Sequence, residues 1–370
     1  MTWPRLQLLA SLVAACLFAA ALAPAAAADV LVGVAGPTRG PNAATAADIS
    51  RAARLAAERI NAEGGVLGQR IEIVAADDGC AGKQAEDAAR TLIARRVGLV
   101  IGHPCAGAAI AAAPLYAQAG VLFIAPATRH PALTDPHPGP TVFRLAGRDG
   151  RQGAIAGAYL AREFAGKPLA IVHGGSRLSR DLAAEAAATL KAAGRTDVLT
   201  ATIAGAQKEY GPLIAKLAAA HVEALYFTGY PIEGGLLLRQ MRRAGLKAAF
   251  LGSDTIAGDQ FAETAREEAE GAGTLLAHDP ARMLPVETLR AKFPGLAPTG
   301  PFVATYAAME AWRAAAQQAQ SSAADATSNA LQHGAFDTVI GRVAFDEKGN
   351  ADVPSYDTVW WKDGAWRRKP

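Results

Sequence analysis

A chain of 370 residues with 37 basic and 34 acidic side chains carries a formal charge of +3 at neutral pH, and so small an imbalance excludes the clustered basic face expected of a nucleic-acid binder. The length exceeds what one hydrophobic core usually supports, so two domains are expected. After the N-terminal region, no uncharged apolar run reaches the ~18 residues that a membrane-spanning helix needs.

The first residues set the compartment. Arg5 precedes an apolar stretch from Leu6 to about Ala23, Pro24 interrupts it, and Ala25 to Ala28 supply an A-x-A pattern ahead of Asp29. That order reads as a secretory signal peptide over residues 1–28, cut near Ala28, and places the mature protein in the periplasm. Val13-Ala14-Ala15-Cys16 offers an alternative, a lipoprotein box that would tether the chain through lipid on Cys16. Two cysteines then remain, Cys80 and Cys105. In an oxidising compartment an even pair points to one disulfide. The competing zinc reading would set His103 beside Cys105, yet a structural zinc site wants four ligands and the other histidines lack ligand spacing. No metal and no cofactor are expected.

From Val30 onward short β-branched runs alternate with longer alanine-rich segments. Val30 to Val34 reads as a strand, and Ala46 to Asn61 as a helix with Ile49, Ala52, Ala53, Ala56 and Ile60 on one face. Thr45-x-x-Asp48 looks like a capping box at its start. The cycle continues with a strand over Arg70–Ala75, a helix over Lys83–Arg95, a strand over Val97–Ile101, a helix over Ala106–Ala117, and strands over Val121–Ile124 and Thr141–Arg144. After Gly147 to Gly153 a second series places strands near Leu169–His173, Val198–Ile203, Ala224–Phe227, Ala249–Gly252 and Thr274–Ala277. Strands separated by such helices imply parallel sheets covered on both faces. The expected fold is therefore α/β, with two doubly wound lobes: residues 29–146 plus about 278–335, and 147–277 plus about 336–370. A last helix, Phe302–Gln317, precedes hairpin-like strands over Phe336–Ala344 and Tyr356–Trp361, expected to complete a lobe. In open sheets of this kind a ligand sits outside the carboxyl ends of the strands. The loops Gly36–Thr45, Cys105–Ala108, Pro126–Arg129, His173–Leu178, Gly229–Ile232 and Gly252–Ile256 are accordingly expected to face a common cleft.

Several stretches resemble branched-chain amino-acid binding proteins of ABC importers. They are Ile60-Asn61-Ala62-Glu63-Gly64-Gly65-Val66-Leu67-Gly68 with Asp77-Asp78, Ile101-Gly102-His103-Pro104-Cys105, Arg144 to Gly153, Leu238-Arg239-Gln240, and Phe336 to Gly341 with Phe345 to Gly349. The likeness spans essentially the whole mature chain. It implies the type I periplasmic binding fold, two lobes joined by three crossovers that close on ligand, and a disulfide at the positions of Cys80 and Cys105. It also implies partners: a small-molecule ligand, either an amino acid or another small organic acid, and the membrane subunits of a permease. A monomer is expected.

The same resemblance implies a ligand set. Ala106, Ala127 and Arg129 fall where the family holds a carboxylate, with Gly107 and Thr128 beside them. Leu178, Tyr230 and Asp254 fall on the second lobe, where the ammonium group is met. Tyr230 and the acidic Asp254 suit that pattern, whereas Ala106 and Arg129 lack the family's hydroxyls. What remains at Ala106 to Ala108 is the N-terminus of a helix, which favours an anion. Arg129 would add a planar charged fork, with Arg39 and Thr45 near the same mouth. Two arginines would suit a ligand more negative or larger than a simple amino acid, while a solvent-facing Arg129 and a turn at Arg39 are the plainer alternatives. Arg144 and Asp149 are expected to tie the connection between lobes.

No G-x-S-x-G elbow, H-E-x-x-H helix, P-loop or G-x-G-x-x-G fingerprint is present. An enzyme is therefore not expected. Capture and delivery to a permease is the leading reading, and a periplasmic sensor subunit reporting to a receptor is the alternative.

Overall fold

The computed structural model describes residues 28–135 and 138–368, which form two compact units. Unit 1 comprises the described residues up to Pro126, Pro138–Val142 and Thr305–Ala344; unit 2 comprises residues 127–135, Phe143–Ala304 and residues 345–368. The leader and the lipobox at Cys16 lie outside the described residues. Among the described residues no helix is long and apolar enough to cross a membrane.

Unit 1 is built on β1 (Val30–Ala35), β2 (Ile71–Ala76), β3 (Leu99–Gly102), β4 (Leu122–Ala125) and Val142, the first residue of β5 (Val142–Arg144), in the spatial order β2-β1-β3-β4-β5. β1 pairs in parallel with β2 and with β3, and β3 in parallel with β4. Strands covered on both faces need apolar residues at nearly every position; β3 and β4 are buried throughout. The intervening helices are α1 (Ala43–Ala62), α2 (Gly82–Ala94) and α3 (Ala106–Gln118). Helix α1 buries Ile49, Ala52, Ala53, Ala56 and Ile60, the face its 3.6-residue period marks. Its start is not the expected capping box, however. A turn in which Ala43 N–H donates to Gly40 O starts the helix at Ala43, with Asn42 as N-cap. Thr45 consequently lies inside the first turn, and Asp48 pairs with Arg51.

Unit 2 contains β6 (Leu169–His173), β7 (Leu199–Thr202), β8 (Ala224–Thr228), β9 (Ala249–Gly252), β10 (Gly273–Ala277), β13 (Tyr356–Lys362) and β14 (Ala365–Arg368), in the order β14-β13-β10-β9-β8-β6-β7. The strands β6 to β10 pair in parallel, but β13 and β14 join antiparallel at the β10 edge. Helices α4 (Gln152–Glu163), α5 (Arg177–Ala192), α6 (Gly211–Ala219) and α7 (Pro231–Arg243) cover the sheet. Alternation along β8 feeds two cores: Leu225 and Phe227 pack with Leu237, Met241 and Phe250 on one face, and Tyr226 with Leu160, Ile171 and Ala186 on the other. Helices α4 and α5 approach closely at Gly153, where an added Cβ would lie 2.2 Å from Leu182 O.

The C-terminal tail is divided between the units. The hairpin of β11 (Ala335–Thr338) and β12 (Gly341–Ala344) belongs to unit 1, and the β13–β14 hairpin extends the sheet of unit 2. Residues 127–135 and 278–304 likewise group with unit 2. A cause is visible in the first of these segments, since Arg144 of unit 2 donates to Arg129 O and His130 O at 3.1 and 2.8 Å.

One surface ion group of unit 2 sets an acid limit. Asp135 accepts from Lys348 Nζ at 2.8 Å and pairs with Arg148, and these bonds hold its carboxyl below the usual carboxylate range. A depressed carboxyl binds its proton more weakly folded than unfolded, so its contribution is present above about pH 4 and fades as pH falls through the folded value. Asp135→Asn should therefore flatten the acid limb of a stability-versus-pH curve below about pH 4, and an unchanged limb would remove Asp135 from the account.

Candidate functional site

In both units the order of parallel strands reverses direction once. In unit 1 the reversal falls between β1 and β3, and in unit 2 between β6 and β8. Crevices outside the carboxyl ends of such strand pairs are where open α/β sheets bind ligands. Loops at these places therefore define the candidate surfaces.

In unit 1 the loop after β3 leads through His103, Pro104 and Cys105 into α3, whose first residues are Ala106 and Gly107. The first main-chain N–H groups of a helix lack intrahelical partners. No side-chain cap satisfies them here, and a Cβ at Gly107 would meet nothing within 4 Å. The opening turn thus offers backbone donors and a positive dipole end. Cys80, after β2, is joined to Cys105 by a disulfide with Cα atoms 5.4 Å apart. Beneath this bridge lies a polar row without solvent access: His103 Nδ1 is 2.8 Å from Asp78 Oδ2, and His103 Nε2 is 3.0 Å from Tyr116 Oη. Asp78 Oδ1 also accepts from Cys80 N–H at 2.8 Å. Burial, together with the charge of Asp78, raises the Tyr116 phenol, which therefore stays protonated.

Arg39 is exposed on the bend after β1, and Thr45 is half-buried in the first turn of α1. The neighbouring Asp77 accepts from Thr38 Oγ1 at 2.6 Å and from Gly79 N–H at 2.9 Å. These bonds, with a smaller contribution from the Arg39 charge, hold the Asp77 carboxyl below its ordinary range.

In unit 2 three candidates follow adjacent strands. Leu178 stands in the first turn of α5, Tyr230 is the N-cap of α7, and Asp254 opens a short 3-10 turn after β9. All three are exposed, Leu178 at 57% and Tyr230 at 61%, and Ile232 beside them at 50%. These exposed apolar side chains stand on the loops that follow β6 and β8. Ile232 closes the loop Gly229–Ile232 that the sequence placed at the cleft, but it was not among the expected ligand contacts, because an isoleucine at the start of α7 looks like any other helical isoleucine. The Tyr230 turn is held by Glu233, a buried carboxylate that accepts from Ala206 N–H at 3.0 Å and Tyr230 N–H at 3.4 Å. Behind Asp254 the Tyr226 hydroxyl is buried without a hydrogen-bond partner among the described residues, and burial followed by the Asp254 charge raises its pKa.

Ala127 is half-buried, Thr128 is buried, and Arg129 is neither in open solvent nor free. Its Nε donates to Asp149 at 2.7 Å, its Nη2 donates to Ser355 O at 2.7 Å, and its guanidinium lies 5.2 Å from the Tyr356 ring centroid. Only Nη1, itself buried, lacks a partner among the described residues. Arg129 O accepts from Asp149 N–H at 2.8 Å as well as from Arg144. Arg144 is fully buried, and its Nη2 also reaches Thr134 Oγ1 at 2.7 Å and Asn350 Oδ1. Burial pushes its pKa down to about 10. Arg144 and Asp149 therefore hold residues 129–134 and 349–355 of unit 2 together; neither was picked as a ligand contact. The partners Asn350, Ser355 and Tyr356 escaped sequence reasoning because they lie some 200 residues away along the chain.

Two doubly wound α/β units with open loops at their strand-reversal points define a type I periplasmic binding protein. Residues 29–365 match the periplasmic binding protein family, and the chain belongs to it. It is 35% identical over 341 residues to Leu/Ile/Val-binding protein homolog 1 of Brucella melitensis biotype 1, covering 91% of this chain and 92% of that one. Among solved structures it is similar to an ABC transporter substrate-binding protein from Desulfitobacterium hafniense in complex with leucine, with TM-score 0.63, 24% identity and coverage of 92% and 99%. It is also similar to a solute binding protein of an ABC transporter from Rhodopseudomonas palustris BisB5 in complex with 3,4-dihydroxybenzoic acid, with TM-score 0.58, 22% identity and coverage of 91% and 95%.

Proposed function

We propose that this chain is the solute-binding component of an ABC importer, acting outside the cytoplasmic membrane on an apolar α-amino acid or a related small monocarboxylate. The observation that carries the reading is a family match along nearly the whole chain joined to strand-end loops with suitable chemistry. The first turn of α3 offers backbone donors to a carboxylate. In unit 2, Asp254 offers a negative partner to an ammonium group, and Leu178, Tyr230 and Ile232 offer apolar surface. The engagement of Arg129 by Asp149, Ser355 O and Tyr356 argues against the more anionic ligand that two free arginines would favour. The relatives' names and bound molecules, leucine in one and an aromatic acid in another, span the same class.

Mass spectrometry of the co-purifying ligand, followed by calorimetric titration with L-leucine and benzoate, tests the class. Asp254→Asn keeps the side chain's shape and removes its charge. The expected loss for an amino acid is about 2 kcal/mol, roughly 30-fold in affinity, as for a charge-assisted hydrogen bond. A benzoate-type ligand, which has no ammonium group, should be nearly indifferent. Undiminished leucine affinity in the variant would sink the ammonium role of Asp254.

A further inference from the structure

We infer that His103 is a positioning residue for ligand capture, setting the main-chain donors at the start of α3 through its buried bonds to Asp78 and Tyr116. The inference rests on the carboxylate-binding reading of that turn proposed above. Ala106, Gly107 and Ala108 carry no side-chain donor, so whatever the turn offers an anion comes from backbone N–H groups alone. Their direction depends on what fixes the backbone just before them. Two devices do so: the Cys80–Cys105 bridge and the row Asp78–His103–Tyr116.

The row reaches both sides of the turn. Asp78 holds the loop after β2, through Cys80 N–H on Oδ1 and the imidazole on Oδ2. Tyr116 belongs to α3 itself, more than two helical turns beyond its start. His103 sits between them, and its own N–H donates to Ala35 O at the end of β1 at 2.9 Å. One residue therefore ties the ends of β1, β2 and β3 to the helix, the first through its main chain and the others through its ring. Its backbone is left-handed, with φ +47°, a conformation uncommon outside glycine in which asparagine, aspartate and histidine are the enriched exceptions. All three side chains of the row are fully buried, so a ligand would not touch them; the ring acts through the turn.

The test separates positioning from general support. With the disulfide kept oxidised, His103→Ala should weaken L-leucine binding by about tenfold, the worth of one misplaced hydrogen bond. L-Leucinamide, whose neutral amide oxygen accepts more weakly from these donors than a carboxylate does, should lose clearly less, about threefold or below. His103→Asn keeps a donor near the place of Nδ1 and tolerates positive φ, so it should restore most of the leucine affinity. Equal losses for both compounds, no loss for leucine, or no rescue by asparagine would overturn the inference. Should His103→Ala fail to fold, Tyr116→Phe, which removes only the hydroxyl on Nε2, is judged by the same leucine-to-leucinamide contrast. If the unaltered protein binds neither compound, the proposed ligand class has failed, and positioning is then read from amide exchange at Ala109, whose N–H donates to Cys105 O at 2.9 Å. Exchange at least about tenfold faster in the histidine variant supports positioning, and an unchanged rate refutes it.

Discussion

Arg144→Ala is expected to lower the stability of unit 2 by about 4 kcal/mol, the largest single-residue effect anticipated in this molecule. The guanidinium has no solvent access and donates to Arg129 O, His130 O, Thr134 Oγ1 and Asn350 Oδ1. Truncation strands buried acceptors and leaves the volume of a long side chain unfilled, and each stranded group costs about 1–3 kcal/mol. The depressed pKa, about 10, records the opposing cost of burying the charge, to which the unpaired Nε adds. These opposing effects make Arg144→Met informative. Methionine fills space without a charge, so it should recover part of the loss if packing dominates and none if the four acceptors dominate. The measurement is urea unfolding, with amide exchange in residues 129–134 and 349–351 to localise the change. Loss of less than about 1 kcal/mol in the alanine variant would show that the segments are held by the backbone pairings of Arg144 with Gly349 and Ala351 instead.

What the sequence made legible depends on how local the cause is. The face Ile49-Ala52-Ala53-Ala56-Ile60 and the strand Val30–Ala35 follow from periodicity and apolar content, and both were read with ends correct to within a few residues. The start of α1 was misplaced because the Gly40–Ala43 turn outcompeted the Thr45 box, a choice between two short motifs that composition does not decide. The antiparallel edge formed by β13 was not foreseen, since nothing in Tyr356–Lys362 distinguishes a strand that returns along β10 from one that runs parallel to it. Arg129 shows the same limit at the level of a side chain. Its charge and loop position were visible; Ser355 and Tyr356, which occupy it, are reached only by folding. The row Asp78–His103–Tyr116 is longer-range still in cause, because its members meet only once β1, β2 and β3 are side by side.

Removing the disulfide, by Cys80→Ser with Cys105→Ser, should destabilise unit 1 by about 3.5 kcal/mol, the chain-entropy value for a loop closed over 25 residues. Because that stabilisation acts mainly on the unfolded chain, the folded turn should barely change. Asp78, His103 and Tyr116 still bridge the loops after β2 and β3 without the sulfurs. Ligand affinity at a temperature where the variant is folded is therefore expected to fall by less than about threefold, in contrast to the about tenfold loss expected of His103→Ala. Urea unfolding of the wild-type protein with and without reductant, beside titration of the double-serine variant, distinguishes the two devices. If reduction leaves stability within about 1 kcal/mol of the oxidised protein, the entropic account fails. If it instead destroys binding while the chain stays folded, the bridge rather than the buried row sets the direction of the α3 donors, and the division of labour argued for them is reversed.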